Sequence, residues 1–142
     1  MFIKQISIFV ENRNGAIMEV TAILKEANIN IRALSIADTQ DFGIVRLIVD
    51  KTGEALEALR AHNMTVVETE VLALSVEDTP GAFHAALEAL YEGAVMIEYC
   101  YAFVAPVGGG ATIILRCREQ ETAARLLTER GLKLLTQEEV GC

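Results

Sequence analysis

Apolar residues recur along the 142-residue chain at two alternating periods, and the order in which the periods change is itself repeated. Ile6, Ile8 and Val10 alternate with Ser7 and Glu11, a period of two that predicts a half-buried strand. From Gly15 the spacing lengthens. Ile17, Val20, Ile23, Leu24 and Ala27 form one stripe at helical period, and Asn28 stands where such a helix would end. Two strands follow, about 29–37 and 42–50, joined through the polar tip Asp38-Thr39-Gln40-Asp41. Thr52 is placed to cap a short helix carrying Ala55, Leu56 and Leu59, and β character returns from Met64 through Val66 and Val67. The predicted order is βαββαβ.

The pattern then starts again 66 residues later. Val10, Glu11, Gly15, Ala16, Leu24, Glu26 and Ile31 are matched by the same residue types at Val76, Glu77, Gly81, Ala82, Leu90, Glu92 and Ile97. The second copy predicts a strand at 71–76, a helix from Gly81 on Phe83, Ala86, Leu87 and Leu90, and strands near 95–104 and 112–117. A helix over 123–129 and a last strand near 132–135 complete it. The copies occupy 1–69 and 70–142, and because Thr65 to Val76 holds no Gly or Pro, they are expected to join strand to strand and pack as one body. The fold class is α+β: two tandem ferredoxin-like βαββαβ units, each an antiparallel sheet against two helices. If Val45, Leu47 and Val49 face the helices, then Ile44, Arg46 and Ile48, with Phe9, Leu34 and Ile36, face away. That face is too apolar for water, so the other copy or a second chain is expected to cover it.

Composition narrows the function classes. With 52% hydrophobic residues the chain can bury a core without disulfides or metals. Twenty acidic against twelve basic residues give a net charge of −8 with no basic run, which disfavours nucleic-acid and anionic-membrane partners. No apolar run approaches the roughly 18 residues of a spanning helix. The N-terminus alternates rather than reading as a signal peptide, and Cys100, Cys117 and Cys142 are odd in number and widely spaced, so a cytoplasmic setting is expected. Cys142 reads as a frayed terminal thiol. His62 and His84 lack partners at ligand spacing, and neither a metal nor a cofactor is expected. Gly108-Gly109-Gly110 is followed by no Gly-Lys-Ser or Gly-Lys-Thr and reads as a hairpin rather than a phosphate loop. No nucleophile constellation stands out, so no enzyme is expected.

The sharpest local feature is the turn from first strand to first helix, Asn12-Arg13-Asn14-Gly15 in one copy and Asp78-Thr79-Pro80-Gly81 in the other. Two readings stay open. The Asn and Asp side chains cap a helix, or the free N–H groups of a helix start receive a small carboxylate. Glu11-Asn12-Arg13-Asn14-Gly15, followed by a helix and Ala27-Asn28-Ile29-Asn30-Ile31, resembles the regulatory domain of bacterial phosphoglycerate dehydrogenase, and Asp78-Thr79-Pro80-Gly81 fits the D-x-P-G pattern of ACT domains. Both copies thus resemble ACT domains, over essentially the whole chain.

The resemblance implies a stand-alone regulatory protein that binds an amino-acid effector between ACT units, through the loop of one and strand residues of its neighbour. Carried over, Asn12 and Asn30 hold the effector by their amides, and the backbone at Asn14, Gly15 and Ala16, beside Arg13, supplies N–H groups. In the second copy Asp78, Thr79, Pro80, Gly81 and Ala82 occupy the loop positions, and Asp78 and Glu98 offer acceptors for an ammonium group. Met96 stands where the first copy has Asn30, and Asn14 replaces the usual proline. Tyr99 and Tyr101 share a strand face and either line the pocket or pack an interface. A homodimer and a partner enzyme of amino-acid metabolism are the implied associations. Two alternatives remain: a constitutive docking subunit without effector, and a small ferredoxin-like hydrolase using Arg13 and Asn12, whose characteristic loop glycines are missing here.

Overall fold

The computed structural model describes residues 2–38, 42–103 and 110–141; the expected hairpin tips at 39–41 and 108–109, and Cys142, lie outside them. The elements are β1 (Ile3–Glu11), α1 (Ala16–Glu26), β2 (Ile31–Asp38), β3 (Phe42–Val49), α2 (Thr52–Ala61) and β4 (Thr65–Val76). They continue as α3 (Ala82–Glu92), β5 (Ile97–Ala102), β6 (Ala111–Cys117), α4 (Gln120–Glu129) and β7 (Lys133–Leu134). The βαββαβ order therefore recurs, with β4 a single strand that ends the first copy and begins the second. The compact units are Lys4–Thr69 with Gly141, and Glu70–Val140 with Phe2 and Ile3.

In the first unit β3 pairs antiparallel with both β1 and β2, setting Ile6 opposite Leu47 and Ile8 opposite Val45. Those side chains and Val49 pack against Val20, Ile23 and Leu24 of α1 and Ala55, Leu56 and Leu59 of α2. In the second unit the order is β5-β6-β4-β7, with Leu72 opposite Leu115 and Leu74 opposite both Ile113 and Leu134. Leu72, Leu74, Leu115 and Cys117 meet Ala86, Ala89 and Leu90 of α3 and Ala123, Ala124 and Leu127 of α4. Each fully buried Leu or Ile contributes roughly 1.5–3 kcal/mol.

The helices end alike. After α1, the Asn28 N–H donates to the Lys25 carbonyl and the Ile29 N–H to Leu24, with Asn28 left-handed at φ 59°. Asn63, Ala94 and Gly131 repeat this Schellman geometry after α2, α3 and α4. The starts differ from expectation. α1 and α3 are preceded by Gly15 and Gly81, and α2 by Lys51, none with a side-chain cap, so Thr52 is the first helical residue rather than the cap and the Asn and Asp side chains do not cap.

A second correction concerns β2. Ile31 packs on the core, but a bulge lies between Ile31 and Ala33, after which Leu34 stands opposite Leu47 and Ile36 opposite Val45. Leu34 and Ile36 therefore lie on the helix side, not the opposite face; on the last strand of the sheet they remain 37% and 53% exposed. The extra residue inverts the period-two count. Phe9, opposite Ile44, does face away. On that far side Ile48 in the first unit and Ala73 and Ile114 in the second are buried.

Candidate functional site

The loop after β1 is built by its backbone. The Arg13 N–H donates to the Glu11 carbonyl at 2.9 Å and the Ala16 N–H to Arg13 at 3.3 Å, with Gly15 at φ 86° between them. The second copy makes the same turn from different residues: the Ala82 N–H donates to Thr79 at 3.2 Å, and Gly81 also stands at φ 86°. Nothing lies within 4 Å of where a Cβ would sit at either glycine, so conformation rather than space demands glycine. The N–H of Ala16, expected to face a ligand, closes the turn instead.

Side chains around the two loops differ. In the first, Asn12 Nδ2 donates to Asp38 Oδ1 at 2.8 Å, tying the loop to the end of β2. Arg13 Nη2 sits 2.7 Å from Glu19 Oε2 and its Nε 3.6 Å from Glu11. Hydrogen bonding in this exposed pair raises the Arg13 pKa and holds the Glu19 carboxyl below the usual carboxylate range. Beside Arg13 and Ala16 an open depression of about 420 Å³ is closed by Phe42, Asn63 and Thr65. The matching depression in the second copy is larger, about 830 Å³, and is lined by Asp78, Thr79, Pro80, Gly81 and Ala82 together with Gly110 and Lys133. Glu77 and Asp78 bring carboxylates to its rim, and Lys133 an ammonium group, 2.7 Å from Glu139. Lys133 and the Thr136 backbone hold the Glu139 carboxyl low. At Gly110 a Cβ would press on the Val76 carbonyl, so glycine lets the start of β6 approach the loop.

Within one unit the remaining predicted residues lie elsewhere. The Asn30 N–H donates to Asp50 Oδ1 at 2.9 Å, and Asn30 lines a separate 570 Å³ depression with Lys25, Asn28 and Lys51. It follows α1 whereas Asn12 precedes it, so the two are separated by the 11-residue helix, about 16 Å. Glu98, on β5, lies 3.4 Å from Arg116 Nε, and α3 separates it in the same way from Asp78. Tyr99 and Tyr101 are half-buried opposite Arg116 and Ile114, on the face turned from the helices. Each unit thus gathers its loop but unites neither Asn12 with Asn30 nor Asp78 with Glu98. Sequence reasoning missed Gly110 and Lys133. The repeat hinted at the first, because Gly43 matches Gly110, whereas nothing marked a lysine in a two-residue strand.

Among the described residues no group of His, Cys, Asp and Glu could hold a metal, and no helix is long and apolar enough to cross a membrane. Duplicated βαββαβ units with matching glycine-turned loops define the class as a tandem ferredoxin-like pair. The sequence matches the family model described as an ACT domain pair over residues 1–141, and the chain belongs to that family. Among solved structures, a protein of Bacteroides thetaiotaomicron is 36% identical with a TM-score of 0.92, over 99% of this chain and 96% of that one. The ligand-free regulatory subunit of aspartate kinase from Thermus thermophilus shares the fold at 18% identity and TM-score 0.63, covering 89% of this chain and 90% of that one. Its counterpart from Thermus flavus gives 17% and 0.62 over the same shares. No curated protein matches the chain. Family membership makes this a regulatory, non-catalytic protein.

Proposed function

We propose that the chain is a sensor whose ACT loops bind a small amino acid and pass the event to a partner protein. The observation that carries this reading is the second loop's depression, which sets acidic Glu77 and Asp78 and basic Lys133 around the left-handed turn that opens α3. An α-amino acid brings one charge of each sign, and burying either unpaired costs several kcal/mol. Carboxylates there suit the ammonium group, while the helix start suits the carboxylate, joined by Lys133 once it exchanges its exposed partner Glu139 for the ligand. The first loop offers the Asn12 and Asn14 amides and the Gly15 backbone; Arg13 is already neutralised by Glu19 and Glu11. Asn30 and Glu98 stand outside both depressions. The aspartate kinase regulatory subunits of the same fold support an enzyme of amino-acid metabolism as the partner.

A thermal-shift screen against the twenty amino acids tests the reading. Ligand at about 100 times Kd adds about 2.7 kcal/mol of stability, several degrees for this size. One amino acid or a related few are expected to shift the transition. Asp78→Ala, at an exposed position, should abolish the shift while leaving the unliganded transition in place. No shift at millimolar concentration with any of them would instead favour a docking subunit without effector.

A further inference from the structure

We infer that only the second loop's depression takes an effector, and that this effector is an amino acid whose side chain carries a further positive charge. The inference rests on the proposed amino-acid binding and narrows it, because the two copies of one turn treat charge differently. The copies correspond at the offset of 66 residues: α1 runs Ala16–Glu26 and α3 Ala82–Glu92, and each follows a glycine at φ 86°. Arg13 and Glu19 of the first copy therefore correspond to Thr79 and Ala85 of the second, and Asn12 to Asp78, while Glu11 and Glu77 are alike.

The first copy is satisfied from within. Arg13 lies 3.6 Å from Glu11 and 2.7 Å from Glu19, and all three residues line the depression of about 420 Å³. The guanidinium thus takes the part of a ligand's cation, and Glu19, in the first turn of α1, already supplies the negative charge that a helix start attracts. The second copy has neither group. With Thr79 and Ala85 on its wall the depression measures about 830 Å³, and α3 has no acidic residue in its first turn. Its helix start is left for a ligand's carboxylate.

Charge then selects the ligand. Glu77 and Asp78 both line the depression, and among the described residues neither forms an ion pair. Lys133, the cation that lines it, is held by Glu139 at 2.7 Å. An amino acid with a neutral side chain brings a single ammonium group to these two carboxylates. A cation on the side chain answers the second, and the larger depression has room for its length. Arg13 against Glu11 shows this pairing made within the chain; Glu77 stands where Glu11 does, without the arginine.

Calorimetric titration of the full-length protein provides the test, with L-arginine and L-citrulline compared as charged and neutral side chains of nearly one shape. L-lysine against L-norleucine makes the same comparison for an ammonium group. In at least one pair the charged member should bind at one site per chain and at least about tenfold tighter than the neutral one, the worth of one charge-assisted hydrogen bond. Glu77→Gln should remove that difference, whereas a general attraction of the acidic chain for cations would survive it. Giving the second copy the first copy's pair, Thr79→Arg with Ala85→Glu, should abolish binding. Both positions are exposed, and an unshifted thermal transition without ligand checks that this variant folds. Equal or tighter binding of the neutral member in both pairs, binding of neutral amino acids alone, two sites per chain, or a preference that survives Glu77→Gln overturns the inference and leaves amino-acid sensing standing. Binding of none of the twenty amino acids overturns the sensor reading itself, and this inference with it.

Discussion

The loop glycines show how a turn can be legible in a sequence while the side chains beside it are misread. Gly15 and Gly81 stand at equivalent places in the repeat, which marks them, but the flanking Asn and Asp suggested side-chain caps that the structure does not make. Both glycines instead hold a left-handed backbone with open space around them. Gly15→Ala and Gly81→Ala should therefore each cost about 1–2 kcal/mol from backbone strain alone, measurable by urea denaturation. Thr112 carries a different penalty: its hydroxyl is buried without a hydrogen-bond partner among the described residues. Thr112→Val, close to isosteric, is expected to raise stability by about 1 kcal/mol in the same assay. Burial also pushes the Cys117 thiol from 9.0 up to about 11. Between those two values the unfolded thiol loses its proton while the folded one keeps it, so the group lowers stability as pH rises through this window. Cys117→Ala should flatten that part of the stability profile relative to the wild type.

At the scale of elements, period and punctuation were legible where each residue answers to its own neighbours. The stripe of Val20, Ile23 and Leu24 is buried as the spacing predicts, and Asn28 ends α1 because Asn tolerates the left-handed turn. After α3 the arrangement is reversed, with Gly93 at an ordinary φ of −85° and Ala94 in the left-handed position. Packing explains the glycine: a Cβ on Gly93 would run into Leu126 of α4. Ala94→Gly should stabilise the second unit by about 1 kcal/mol by relieving the strained alanine, a gain that calorimetry would detect. Strand faces were less legible. A bulge shifts the register between Ile31 and Ala33, and another between Ile97 and Tyr99, so both copies carry the same inversion after their first core residue. Hydrophobicity cannot reveal it, because Leu34 and Ile36 are apolar on either face and only the pairing with Leu47 and Val45 decides.

For the molecule as a whole, the duplication was readable because its two copies had to satisfy the same packing twice, and identical residues at one offset survive where substitutions would break both turn and core. The site was readable only as two loops. Which residues complete it depends on strand ends and neighbours that no linear spacing encodes, as the separation of Asn12 from Asn30 by the length of α1 shows. The chain's first residues illustrate the same limit. Ile3 looks like the opening of β1, yet it and Phe2 group with the unit formed by Glu70–Val140, where Phe2 packs on the core around Leu72 and Leu90. Ile3 is fully buried, so Ile3→Ala should cost roughly 2–5 kcal/mol. Hydrogen exchange should then place the lost protection in Glu70–Val140, whereas a loss confined to Lys4–Thr69, the unit to which β1 otherwise belongs, would show that Ile3 stabilises its own repeat instead.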